Sequence, residues 1–112
     1  MTDAFLKPTA VFNGGRLCTD TVLQISNGRL HLIAADQAPA APQSVDGIVS
    51  RGLIDLQVNG GGGVLLNTTP TPEGIAAIIA AHRQYGTTGL LPTVITDAPE
   101  ITQAAVAAVM DA

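Results

Sequence analysis

On either side of Asn27-Gly28 the segment "TVLQISNGRLHLIAA" alternates apolar and polar residues, the period of a strand with one covered face. Asn-Gly is the pair that a two-residue turn with positive φ at both central positions favours, so residues 21 to 35 predict a hairpin. "AVFNGG" before it and "VDGIV" after it predict further short strands, and antiparallel pairing is expected for the whole stretch from residue 10 to about 51. "ADQAPAAPQS", with Pro39 and Pro42, reads as a surface loop.

After residue 51 the period changes. "GLIDLQV" predicts a strand over 52 to 58, with Ile54, Leu56 and Val58 expected on the face toward the helices and Asp55, Gln57 and Asn59 on the other. Four glycines follow, Gly60, Gly61, Gly62 and Gly63. "TPTPEGIAAIIAAHRQYG" then has a helix signature: Thr71 as cap, Pro72 in the first position, Glu73 near the positive end of the dipole, and Ile75, Ile78, Ile79 and His82 at helical spacing. Gly86 supplies the stop. "TTGLLPTVIT" predicts a second buried strand, and "DAPEITQAAVAAVMDA" a second helix with Asp97 as cap and Pro99 in its first turn. Strand, helix, strand, helix with short connections implies parallel strands joined by crossover helices. Two strands do not complete such a sheet, and Ile101, Val106 and Val109 are expected to lack a covering element, so a fragment of a larger α/β protein is the expectation.

Composition narrows the function classes. The 112 residues are 46% hydrophobic, 12% charged and 3% aromatic, a balance that opposes disorder. The net charge is −4, and Lys7, Arg16, Arg29, Arg51 and Arg83 are scattered singly, which opposes nucleic-acid binding. No apolar run approaches the ~20 residues of a membrane span, and "MTDAFLKPTAVF", without a long apolar core or small-residue cleavage site, is not expected to act as a secretory leader. Cys18 is the single cysteine, so no internal disulfide forms and a cytoplasmic location is expected.

The candidate chemistry sits at the end of the first parallel strand. Ligand sites of parallel sheets and barrels form beyond the carboxyl ends of the strands, where Gln57 and Asn59 stand, which makes them candidates to line a pocket. Two polar residues that merely end a strand and bond the loop are the competing account. The glycines at 60 to 63 permit close approach to a ligand or a tight turn. No Gly-Lys-Ser/Thr ending follows, and no helix starts at them, so nucleotide-loop readings fail. His31 and His82 belong to no metal-binding spacing, and a packing or surface role is expected for His82. Cys18, Ser26, Ser44 and Ser50 lack activating partners. No catalytic residue is expected within the chain.

"GLIDLQVNGGGGV" and "TPEGIAAIIAAHRQYGTTGLLPTVITD", with the β module before them, resemble the N-terminal part of the N-acetylglucosamine-6-phosphate deacetylase family of the amidohydrolase superfamily. The resemblance covers essentially the whole chain. It implies an α/β fold in two parts: residues 1–51 as part of a composite β-sandwich, and 52–112 as the first two βα units of an incomplete (β/α)8 barrel. It implies metal-dependent hydrolysis of N-acetylglucosamine 6-phosphate to glucosamine 6-phosphate and acetate by the full-length enzyme. A divalent metal, zinc by preference, is implied there, and a homo-oligomer is expected. Gln57 and Asn59 match the positions where the superfamily carries a His-x-His pair, and amides there suit one tightly held metal instead of two. The metal ligands and the catalytic Asp are implied to lie beyond residue 112, so neither activity nor tight metal binding is expected of this chain alone. Ser50-Arg51-Gly52 and Leu66-Asn67-Thr68 depart from the family's usual Pro-Gly and Phe-Asn-Asp. Two alternatives stay open: a non-catalytic binding or assembly module of a split protein, and another amidohydrolase acting on a different amide.

Overall fold

The computed structural model describes residues 3–39 and 41–112. Met1 and Thr2 of the leader reading, and Ala40 of the proline loop, lie outside the described residues. The chain divides into two compact units, Met1–Arg51 and Gly52–Ala112.

In the first unit, β1 (Ala4–Phe12), β2 (Leu17–Cys18), β3 (Thr21–Ser26), β4 (Arg29–Ala34) and β5 (Gln43–Ser50) form one sheet. β3 and β4 are the expected hairpin: Ser26 pairs with Arg29, and Asn27 and Gly28 have φ of 50° and 73°. β1 begins at Ala4, earlier than the alternation alone suggested, and runs antiparallel to β3 and β2. The expected antiparallel pairing fails for β5. It lies parallel to β1, from Leu6 opposite Gln43 to Phe12 opposite Ser50. Parallel neighbours need a crossover, here the β2–β4 segment itself, and no local pattern reports a pairing between residues so far apart. Gln43 and Ser44, read as loop, are the first residues of β5. Ala10, Val11, Val22 and Leu23 are buried.

In the second unit, β6 (Leu53–Val58) pairs in parallel with β9 (Thr87–Pro92). Between them come β7 (Gly60–Gly61), β8 (Val64–Leu65) and α1 (Pro72–Arg83), and α2 (Pro99–Asp111) follows. The helix start is set locally as the sequence requires: Thr71 Oγ1 accepts the Gly74 N–H at 3.1 Å and Pro72 takes the first helical position. Such a cap is worth about 1 kcal/mol.

Val58, Leu66, Ile75, Ile78, Ala105 and Ala108 form the core of this unit. The second helix therefore packs through its alanines, which permit close approach, while Val106 and Val109 remain 57% and 37% exposed. Asp97 does not cap that helix. Ala98 holds the cap position without a side-chain bond, and the Asp97 carboxylate accepts from Asn67 at Oδ2 and from the Ala98 N–H at Oδ1.

The face assignment along β6 also needs correction. Val58 is buried against the helices, but Ile54 and Leu56 are 69% and 72% exposed. Asp55 instead approaches α1, its Oδ2 3.9 Å from Nδ1 of His82. The alternation is not continuous, since the β6–β9 register shifts between Asp55 and Val58 and Asp55 Oδ1 accepts the Gln57 N–H at 3.2 Å. A slip of one residue exchanges the two faces of a strand. Asp55 thus leaves the face on which the sequence pattern grouped it with Gln57 and Asn59.

Candidate functional site

The carboxyl ends of β6 and β9 are tied together at one point. Val58 stands opposite Pro92, and the Thr93 N–H donates to the Val58 carbonyl at 2.8 Å. Asn59 Nδ2 donates to the Thr93 carbonyl, also at 2.8 Å. That bond engages one of the two amide N–H groups and fixes the flip of the side chain, leaving Oδ1 as its acceptor. Gln57 and Asn59 flank the buried Val58 in sequence. Gln57 is exposed and Asn59 half-buried.

The four glycines are not a slack linker. Gly60 pairs with Leu65 and Gly61 with Val64, making a short antiparallel hairpin whose turn residues Gly62 and Gly63 have φ of 61° and 79°. Positive φ at both central positions is the requirement of this turn type. The Leu66 N–H closes the base by donating to the Asn59 carbonyl at 2.8 Å. Asn59 is thereby held from two sides, by its side chain to Thr93 and by its carbonyl to Leu66.

Asn67 is the residue that sequence reasoning missed. It is 8% exposed, and its side chain meets the backbone of Ile95 twice: Oδ1 accepts the N–H at 3.0 Å and Nδ2 donates to the carbonyl at 2.9 Å. Nδ2 also donates to Asp97 Oδ2 at 2.9 Å. These bonds, first from Asn67 and then from the Ala98 N–H, hold the Asp97 carboxyl below the usual aspartate range. The signals in the sequence were a polar residue directly after the apolar run "VLL" and its match to the Asn of the family's Phe-Asn-Asp.

His82 faces the same hairpin, with Nε2 3.0 Å from the Gly60 carbonyl. His31 is exposed on β4, and Cys18 is a free, half-buried thiol on β2. Among the described residues no three His, Cys, Asp or Glu side chains gather as a metal site. Gln57 and Asn59 supply at most two neutral amide oxygens, weak ligands beside imidazole or carboxylate. The residues of this chain therefore do not fit a metal centre by themselves. A groove of about 450 Å³ bordered by Ile75, Ile79, Arg83, Thr88, Leu90 and Val109 includes neither Gln57 nor Asn59. Among the described residues no helix is long and apolar enough to cross a membrane.

No family model matches the chain. It is similar to the N-acetylgalactosamine-6-phosphate deacetylase of Shewanella sp. (strain ANA-3), with 41% identity over 108 residues, 91% of this chain and 27% of that protein. The fold matches the crystal structure of N-acetylglucosamine-6-phosphate deacetylase from Pasteurella multocida with a TM-score of 0.84 at 23% identity, covering 98% of this chain and 30% of the other. It matches the Mycobacterium smegmatis N-acetyl-D-glucosamine-6-phosphate deacetylase with a TM-score of 0.81 at 27% identity, covering 96% and 31%. A variant of the latter in complex with N-acetyl-D-glucosamine-6-phosphate matches with a TM-score of 0.78 at 25% identity, covering 99% of this chain and 29% of that one. The chain thus spans between 27% and 31% of the length of these proteins. In sequence and in fold the chain is similar to a segment of under a third of these deacetylases.

Proposed function

We propose that the chain is a structural segment of a metal-dependent deacetylase that releases acetate from an N-acetylhexosamine 6-phosphate. In this reading residues 1–51 belong to a composite β-sandwich and 52–112 form the first two βα units of a (β/α)8 barrel. Gln57 and Asn59 then stand at the mouth, where barrel enzymes collect their catalytic groups. The observation that carries the reading is the 41% identity to a deacetylase, extending over 91% of the chain.

What these residues contribute is position. Asn59, fixed by Thr93 and Leu66, presents its amide oxygen from a rigid strand end, and Gln57 lies beside it with an exposed side chain. The hairpin of Gly60 to Leu65 forms the rim next to them. A divalent ion such as zinc, held by residues outside this chain, belongs to the same proposal.

The sugar is the finer question. The relative with 41% identity is named for the galactosamine epimer, while the matching solved structures are named for the glucosamine epimer. The two substrates differ only at C4, so the shared chemistry is the acetamide and the 6-phosphate. Acetate release from both epimers, measured with the protein that carries this segment within a complete barrel, tests the reading. Turnover of either is the expected result, and their kcat/KM ratio assigns the sugar. A well-folded, metal-loaded barrel that hydrolyses neither epimer overturns it.

A further inference from the structure

We infer that His82 is a positioning residue: through Nε2–H it clamps the glycine hairpin that follows Asn59. Its link to catalysis rests on the reading of that hairpin as a pocket rim, while the geometry of the clamp lies in the second unit alone. Nε2 lies 3.0 Å from the Gly60 carbonyl. A carbonyl only accepts, so Nε2 carries the proton, and the neutral ring is the Nε2–H tautomer with Nδ1 as acceptor. On the other side of the ring Nδ1 stands 3.9 Å from Asp55 Oδ2, too long for a direct hydrogen bond and the length of a loose ion pair when the imidazole is protonated. Neutral or protonated, the ring keeps its donor on Gly60.

The glycine next to the clamp is shaped for it. A Cβ on Gly61 would meet Cδ2 and Nε2 of His82 at 2.9 Å, closer than side chains tolerate, so the ring lies where only glycine leaves room. The side chain of His82 is 28% exposed, and the helix carrying it is anchored in the core by Ile75 and Ile78. A rigid helix thus grips a hairpin whose own apolar contact with the core is made through Val64. The hairpin base is the Leu66 N–H bond to Asn59, so a hairpin that swings also moves the residue proposed to line the pocket.

The test uses two variants and one spectroscopic signature. In His82→Gln the side-chain nitrogen replaces Nε2 as donor, and in His82→Phe a ring of similar shape has none. Amide exchange at Gly61, Leu65 and Leu66 is expected to accelerate at least tenfold in the Phe variant and to stay within threefold of wild type in the Gln variant, with Ile78 unchanged in both. The wild-type ring nitrogens, read by ¹⁵N NMR, are expected to show a proton on Nε2. If the Phe variant does not fold, the wild-type tautomer and Gly61→Ala, which is expected to speed the same amides, decide the matter. An Nδ1–H tautomer overturns the clamp, as do unchanged hairpin amides in the Phe variant or equal acceleration in both. In a complete barrel active on the sugar phosphate, the Phe variant is expected to lose at least fivefold in kcat and the Gln variant to recover most of it. Wild-type inactivity there fails the enzyme reading, while exchange and tautomer still judge the clamp.

Discussion

Asn67 and Ile95 exchange two hydrogen bonds, the Asn67 amide lying against the Ile95 peptide as a strand would. The contact ties the exit of the glycine hairpin to the segment that leaves β9. Replacing Asn67 by Leu keeps volume and removes donor and acceptor together. Leaving paired groups unsatisfied costs about 1–3 kcal/mol, so Asn67→Leu is expected to lower the stability of the chain by about that much, read as a shifted denaturant midpoint at constant slope. A midpoint unchanged from wild type refutes the tie.

The same amide governs Asp97. Its carboxyl is held below the usual aspartate value of about 3.9 by the Asn67 amide and then by the Ala98 N–H. A group whose folded pKa is depressed contributes stability that is present above the unfolded pKa and is lost as pH falls through the folded one. The expected contribution is therefore constant at neutral pH and disappears below about pH 4. Because the group is exposed the effect is small, and titration is the sharper readout. Carboxyl ¹³C NMR is expected to show the Asp97 midpoint moving up toward the ordinary value in Asn67→Leu, and an unmoved midpoint would remove Asn67 as the cause.

Val58 and Leu56, two residues apart on β6, provide a contrast that simple alternation does not foresee. Val58 is 3% exposed and Leu56 72% exposed. Val58→Ala removes buried methyl groups and is expected to cost about 1–3 kcal/mol, whereas Leu56→Gln stays within about 0.5 kcal/mol of wild type. Both are read from the same denaturation curves. Equal losses would restore the face assignment that strict alternation suggests.

What the sequence displayed and what it hid follow the range of the interactions. The Asn27-Gly28 hairpin and the Thr71-Pro72 helix start were legible because each is decided by neighbouring residues. The parallel register of β1 with β5 was not, because it joins Leu6 to Gln43 across an intervening hairpin. Asp97 carries the residue type of a helix cap, yet Asn67, thirty positions earlier, binds its carboxylate. The strand slip at residues 55–58 likewise turned Asp55 toward His82, a relation that no two-residue period contains. Gln57 and Asn59 were legible as polar residues at the end of a parallel strand, and their part in a pocket rests on the family resemblance.

The turn of the glycine hairpin separates backbone demand from steric demand. Gly63 has φ of 79°, and a Cβ added there would find no atom within 4 Å, so a side chain meets open space and only the backbone resists. Left-handed conformation costs an ordinary L-residue about 1–2 kcal/mol, and Asn tolerates it better than most. Gly63→Asn is therefore expected to leave stability nearly unchanged, while Gly63→Val, β-branched and ill suited to positive φ, is expected to lose about 1–2 kcal/mol or to open the turn. Gly61→Ala differs in kind, because its obstacle is the His82 ring and not φ. Removing that ring relieves the obstacle. The double variant Gly61→Ala with His82→Ala is expected to be more stable than the sum of the two single losses predicts, with a favourable coupling of about 0.5 kcal/mol or more, whereas Gly63→Val with His82→Ala is expected to be additive. Denaturation of the three single and two double variants measures both couplings. Additive losses for Gly61 and His82 would mean that the ring does not occupy the space that glycine leaves.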